Sequence, residues 1–306
     1  MARLAAQASP AGRDPCSFEM GALKPVPNGI RQGRRERLAR ILAALQQERK
    51  AYVSGSRAQT DTLIASYNVH KCVGTDKRFD PDRTAAVIGE IGADVVALQE
   101  ADQRFGDRAG LIDLRRLERE CGLVPVPVIG RSKSHGWHGN LLLFREGRVR
   151  DVHQIRLPGV EPRGALVVDM ELGAGPLRVI TAHLGLLRRS RTQQAEAILA
   201  AVGVRSERPT LLLGDLNEWR LGGRSSLLSF DPAFGPLTAA LPSFPSRFPL
   251  FALDRILGNP HDLISGLEVH DTPLARVASD HLPVKAWIDL RGASSQSSAA
   301  DAKIAA

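Results

Sequence analysis

The stretch SYNVHKCVGTDKRFDPDRTAAVIGEIGADVVALQE, residues 66–100, decides the fold class because it runs from a strand through a helix into a second strand. Its first residues belong to an apolar run, Ile64 to Val69, that reads as a strand. Asp80-Pro81 then supplies a helix N-cap followed by proline at the first helical position, where a missing N–H is harmless. Thr84, Val87, Ile88 and Ile91 recur at helical spacing and mark a buried face, and Gly92 closes the helix. Asp94 to Leu98, DVVAL, is a short apolar run of the kind that forms a buried strand.

The same alternation continues outward. Leu141–Phe144, Ala165–Val168, Leu177–Thr181, Thr210–Leu213 and Asp254–Leu257 are further strand candidates, and a last strand follows Asp280-His281. Ser190 and Gln193 are spaced as a capping box ahead of a helix whose inner side is lined by Ala195, Ile198, Leu199 and Val202. Several strands lie close enough in sequence to pair as hairpins, which favours mixed sheets over an all-parallel one. The expectation is one α/β domain over residues 61–290, without internal repeats.

With 306 residues and 43% apolar content, the chain can bury a sizeable core. Its formal charge of +8 sits at one end. Residues 1–60 carry eleven Lys and Arg against four Asp and Glu, leaving 30 against 29 for residues 61–306. A protein that holds nucleic acid through its phosphates shows a basic surplus on the working domain, and residues 61–306 show none in sum.

Residues 1–60 are thus a basic N-terminal extension, which begins as a flexible tail mixing Pro, Gly, Ala and Ser. Leu38, Ile41, Leu42 and Leu45 then form one apolar stripe of a helix whose other faces carry Arg34, Arg35, Arg37 and Arg40. Either this helix docks on the core, or residues 31–50 meet an anionic membrane surface or an acidic partner. Residues 291–306, rich in Ser and Ala, read as a disordered tail. Cys16, Cys72 and Cys121 are odd in number and without pair spacing, which argues against a disulfide framework or a cysteine zinc site and leaves Cys72 as a space filler. No apolar stretch approaches the ~20 residues of a membrane span, and the N-terminus lacks a secretory pattern. The chain is expected to be cytoplasmic, peripheral to the membrane if its basic helix meets one.

Polar groups at the end of an apolar strand are expensive to bury unless paired or metal-bound, and five segments here end in them. SYNVHK brings Asn68, ALQEAD brings Glu100 and TAHLG brings His183. LLLGDLNEW adds Asp215 and Asn217, and ASDHLP adds Asp280 and His281. Hydrolysis of a phosphate ester requires hard oxygen ligands for a divalent ion, a group to orient water, and donors for charge on the phosphorus oxygens. That inventory is present.

In this order, together with HGN at residues 138–140 and LDRI at residues 253–256, the segments resemble the endonuclease/exonuclease/phosphatase family, and its small stand-alone bacterial members above all. DNase I-like nucleases, abasic-site repair endonucleases, neutral sphingomyelinases and inositol polyphosphate 5-phosphatases share its fold. The resemblance covers about residues 61–290 and implies two packed mixed β-sheets flanked by helices, a four-layer α/β/β/α sandwich. It implies Glu100 as the main ligand of Mg²⁺ or Mn²⁺, with Asn68 and Asp280 beside it. Asp215 would orient and deprotonate the attacking water, helped by Asn217, which also holds a phosphate oxygen. His183 and His281 would donate to the non-bridging oxygens, with Asp254 paired to His281; such a carboxylate fixes the ring and favours its protonated form.

Other assignments stay open between two readings. Asn140 belongs to the site or only to its turn. His135 and His138 flank a Trp-Gly turn and either contact substrate or sit in an exposed loop. Arg163 would clamp a phosphate with its forked donors or lie on a surface loop. Lys71, near Asn68, would sense a phosphate, and Trp219 would stack on a base or sugar or pack beneath the cleft. The expected activity is Mg²⁺-dependent hydrolysis of a phosphodiester or phosphomonoester by in-line attack of water, on nucleic acid, phospholipid or a small phosphodiester. No obligate protein partner is expected. The rival is a catalytically idle adaptor that binds a membrane or acidic partner through its basic helix.

Overall fold

A computed structural model of the chain describes residues 62–129, 133–220, 222–235 and 241–290. The expectations for residues 1–60 and 291–306 lie outside the described residues. In chain order the strands are β1 (Thr62–Asn68), β2 (Val95–Gln99), β3 (Val124–Pro125), β4 (Leu141–Phe144), β5 (Arg148–Arg156) and β6 (Gly164–Leu172). They continue with β7 (Gly175–His183), β8 (Thr210–Asp215), β9 (Asp254–Asn259), β10 (Ile264–Val269) and β11 (Val284–Ile288). The longer helices are α1 (Pro81–Ile91), α2 (Leu114–Cys121) and α3 (Arg188–Gly203), and α4 (Asp231–Phe234) and α5 (Ala275–Ala278) are single turns.

Two mixed sheets result. Sheet one has six strands in the order β10-β11-β1-β2-β4-β3, and sheet two has five in the order β5-β6-β7-β8-β9. Each contains one parallel pair, β1 with β2 and β7 with β8, and its crossover carries a helix, α1 in the first and α3 in the second. Asp80 caps α1 by accepting from Arg83 N, and Gly92 ends it at φ 64. A capping box at Ser190 is overturned: α3 starts at Arg188 after Leu187, so Ser190 lies inside the helix and is buried.

Three apolar layers hold the sandwich. Between the sheets, Ile64, Val95, Ala97 and Leu142 meet Leu166, Val179, Leu211, Leu213 and Ile256. On the far side of sheet one, Ala65, Tyr67, Val96 and Leu98 pack under Val87, Ile88 and Ile91 of α1 and Leu117 of α2. On the far side of sheet two, Val167, Ile180 and Leu212 pack under Ala195 and Ile198 of α3. A fully buried side chain of this size contributes about 1.5–3 kcal/mol, so the two-residue alternation of the central strands β1, β2, β7 and β8 is held in register by both of their faces. The outcome is the four-layer arrangement of a DNase I-like fold. No helix among the described residues is long and apolar enough to cross a membrane.

Candidate active site

Strand parity and register assemble the site. In sheet two, Leu177, Val179 and Thr181 lead to His183, and Leu211 and Leu213 lead to Asp215, so both polar residues continue rows that face the other sheet. The register pairs His183 with Asp215 and Asp215 with Asp254, which puts the three side by side on that face. In sheet one, Asn68 continues the inward row of Ile64 and Ser66, and Asn140 precedes the inward row of Leu142 and Phe144. Glu100 has the wrong parity, since Gln99 takes the inward place and bonds Ser66. Its left-handed backbone, φ 56, re-aims the side chain, and its Oε1 reaches within 4.0 Å of His183 Nδ1. Gly214 is required for a different reason: a Cβ there would collide with Ala182 O on the neighbouring strand.

Asp215 is the hub, buried and faced by donors. Asn68 Nδ2 donates to its Oδ2 at 2.9 Å, and His183 Nε2 and His281 Nε2 lie 3.4 and 3.7 Å from the same oxygen. Asn217 N donates to Oδ1 at 3.0 Å, and the Asn217 side chain bonds Leu184 O at 2.9 Å. On the other side, His281 Nδ1 donates to Asp254 Oδ2 at 2.8 Å, and Ser243 Oγ donates to that oxygen as well. Phe244 lies against the His281 ring with 4.8 Å between centroids.

The two histidines are driven apart in protonation. Burial pulls the His281 pKa down, but Asp254 and then Asp215 outweigh it and raise it to about 10. For His183 burial dominates and lowers the pKa to about 3, Asp215 opposing and Arg163, His281 and Lys71 reinforcing. At neutral pH His281 is an imidazolium with two N–H donors and His183 a neutral ring with one.

The opposite rim is looser. Lys71 Nζ pairs with Glu100 Oε2, which otherwise accepts no hydrogen bond. His70 N donates to Asn68 Oδ1 at 3.0 Å, and His70 Nδ1 lies 3.6 Å from Asp280 Oδ1. Arg163 forks onto Glu161 Oε2 at 3.1 and 2.6 Å, so its charge is already matched. His138 Nδ1 donates to Pro162 O at 2.8 Å; burial, with Arg108 and Arg156 nearby, lowers its pKa. His135 lies against Ile112 O instead and braces its loop. Asn140 is fully buried and bonds Trp137 O and Gly164 O, leaving its Oδ1 unpartnered. Cys72 is buried in the core under α1. Trp219 is not packed beneath the cleft: it stands half-exposed, with the Arg220 guanidinium 4.5 Å from its ring centroid.

Two donor sets could hold a divalent cation. Asp215, Asp254 and His281 offer buried ligand atoms within 4.8 Å of one another. Glu100 and Asp280 offer partly exposed carboxylate oxygens, and buried Asn68 offers an Oδ1 that accepts from His70 N; the Glu100 carboxylate already draws a cation, Lys71. Supporting residues that carry no sequence signal are Ser243, Arg191 and Glu218. Arg191 donates to Gly185 O, Leu186 O, Ser226 Oγ and Glu218 Oε2, and so ties the loop after β7 to the loop after β8.

The chain matches the Endonuclease/Exonuclease/phosphatase family over residues 65–281. Comparison with curated proteins gives no match. Among solved structures it is similar to an endonuclease/exonuclease/phosphatase protein of Beutenbergia cavernae DSM 12333, with 22% identity, 76% of this chain and 72% of that one covered, and a TM-score of 0.56. It is similar to TDP2 of D. rerio, solved with a single-strand DNA product, at 15% identity, coverage of 75% and 99%, and a TM-score of 0.54. The catalytic domain of human Nocturnin, with a bound sulfate anion, aligns at 18% identity over 74% and 93% with a TM-score of 0.51. These likenesses carry the fold, and the family match spans more than half of the sequence. The chain therefore belongs to the endonuclease/exonuclease/phosphatase family, whose phosphoesterase fold here encloses a buried Asp/His cluster.

Proposed function

We propose that the protein hydrolyses a phosphodiester by direct attack of water on phosphorus. The observation that carries this reading is the convergence of Asn68, His183 and His281 on the Asp215 carboxylate at 2.9, 3.4 and 3.7 Å. A carboxylate held this way is fixed in direction and can take the proton of a water placed against it. Asn217 Nδ2, the His183 N–H and the second N–H of His281 are the donors for the non-bridging oxygens, where charge gathers as the ester bond breaks. Asp254 keeps the His281 proton in place through the reaction. Arg163, His138, Lys71, Asn140 and Trp219 line or support the substrate side.

Glu100, with Asn68 and Asp280, is the donor set assigned to the ion. Asp215, Asp254 and His281 are the alternative donor set. Hard oxygen donors favour Mg²⁺ or Mn²⁺ over Zn²⁺, and the bound ion supplies positive charge for the phosphate oxygens or the leaving oxygen. The test is turnover of bis-p-nitrophenyl phosphate, nicked DNA, RNA and phospholipid by the purified protein with Mg²⁺ or Mn²⁺, and with excess chelator. Asp215→Asn should lower kcat by on the order of 10²–10⁴-fold with KM nearly unchanged. Full turnover in chelator, or a change in KM alone, contradicts the assignment.

A further inference from the structure

The loops that leave sheet two at its active end have an unusual composition. Three of the segments there, residues 184–191, 216–230 and 241–253, carry Arg188, Arg189, Arg191, Arg220, Arg224 and Arg247, and one acid, Glu218, which is buried against Arg191; the fourth, residues 157–163, adds Arg163 and Glu161, which pair with each other while Glu161 also accepts from Leu186 N. Arg188, Arg189 and Arg224 are exposed and make no ion pair with the described residues. The neutral sum over residues 61–306 therefore hides a local cationic face. The same loops expose Leu186 (67%), Leu187 (55%), Trp219 (52%), Leu250 (45%) and Phe251 (41%). Between them lies a concavity of about 490 Å³, lined by Leu186, Asn217, Trp219, Phe244, Phe251 and Leu253 together with Arg191 and Arg220. It opens directly beside the phosphate donors, since Asn217 bonds the loop of His183 and Phe244 lies on His281.

Apolar side chains clustered in water mark a surface that is covered in use. A nucleic-acid strand gives Leu186, Leu187 and Leu250 no base to stack on, and the Trp219 ring is already capped by Arg220 at 4.5 Å and edged by Phe251 at 6.0 Å. A bilayer suits both features: aliphatic and aromatic groups enter the acyl boundary while arginines stay at anionic headgroups. Resting on the phosphodiesterase reading above, we propose that this face docks on an anionic phospholipid bilayer and that the site hydrolyses the phosphodiester of a lipid drawn from it. The apolar side of the ester lies in the concavity. Water adds across one P–O bond: its oxygen bonds to phosphorus, the bond to the alcohol oxygen breaks, and the alcohol leaves with a proton.

The test uses the full chain and vesicles of phosphatidylcholine with and without phosphatidylglycerol. Leu187→Asp with Leu250→Asp removes the apolar contact, Asp being a good cap where Leu187 now precedes α3. Arg188→Glu with Arg189→Glu reverses the charge. Each pair should lower co-sedimentation with the anionic vesicles, and turnover of vesicular lipid, by about tenfold or more. Melting temperature and turnover of bis-p-nitrophenyl phosphate should match the parent. Partition equal to the parent in both pairs overturns the proposal. So does binding of single-stranded DNA, lost in the arginine pair, by a parent that leaves vesicles unbound. Turnover of the small diester without vesicle binding sinks this proposal alone, whereas vesicle binding with no turnover of either substrate sinks the phosphodiesterase reading.

Discussion

The two sheets contribute unlike halves to the site. The half from sheet two is closed: His183, Asp215 and Asp254 are in strand register, buried, and hydrogen-bonded or within ion-pair distance of donors. Behind them, buried Glu218 accepts from Ser226 N at 2.9 Å, Arg220 N at 2.8 Å and Arg191 Nη2 at 3.2 Å. The half from sheet one is open. Lys71, Glu100 and Asp280 are partly exposed, and His70, Lys71 and Cys72 follow one another at φ 45, 56 and 59. Groups that must meet a phosphate in one geometry are held by packing, while two of the three groups assigned to an exchangeable ion, Glu100 and Asp280, stay within reach of solvent, and the third, Asn68, is buried against Asp215.

Arg191→Met is the strongest way to break the closed half. It removes the buried guanidinium from the Glu218 carboxylate, which keeps only Ser226, Arg220 N and the half-exposed Arg220 side chain, and loss of one partner of a buried pair costs up to about 3–5 kcal/mol. The midpoint of denaturant unfolding should fall accordingly, and adding Glu218→Gln should restore much of it. A single variant that unfolds with the parent would mean that the loops after β7 and β8 are held by something else.

Glu100→Gln probes the open half and should act differently. The concentration of Mg²⁺ or Mn²⁺ giving half of the maximal activity, or half of the metal-induced rise in melting temperature, should increase by about 10–100-fold. The melting temperature in chelator should stay that of the parent, because this carboxylate is partly exposed. If metal dependence is unchanged, the ion belongs to Asp215, Asp254 and His281 instead.

The same contrast explains how much could be read from the sequence. The inward rows ending in Asn68, His183 and Asp215 alternate strictly, so apolar runs with polar ends showed both the strands and the chemistry. The edge strand β5 was missed because a bulge between Val149 and Asp151 breaks its two-residue period, leaving Val149, Val152 and Ile155 three apart. Helix α2 was missed because Leu117 is its one buried residue. Neither the aim of Glu100 nor the span of Arg191 is legible in a linear chain: the first depends on a left-handed residue, and the second on two loops far apart in sequence. The cationic face was invisible because acids elsewhere in the chain cancel it.

The last prediction follows the proton on His281. Its folded pKa, about 10, stands above the ordinary 6.5 expected when the chain unfolds. A group raised in this direction lends stability that is complete below about pH 6.5 and is lost as the pH climbs through about 10. The parent should therefore lose up to about 1.4 kcal/mol per pH unit across that window through this one group, whereas His281→Gln cannot. Urea midpoints of the two proteins, compared at successive pH values between neutrality and about pH 9, should converge as the medium becomes alkaline. Asp254→Asn removes the main cause of the raised pKa and should flatten the parent's decline while leaving the ring present. Parallel curves for the parent and His281→Gln would mean that the ring is already neutral at pH 7. The second N–H assigned to a phosphate oxygen would then be missing, and the donor half of the site would rest on Asn217 and His183.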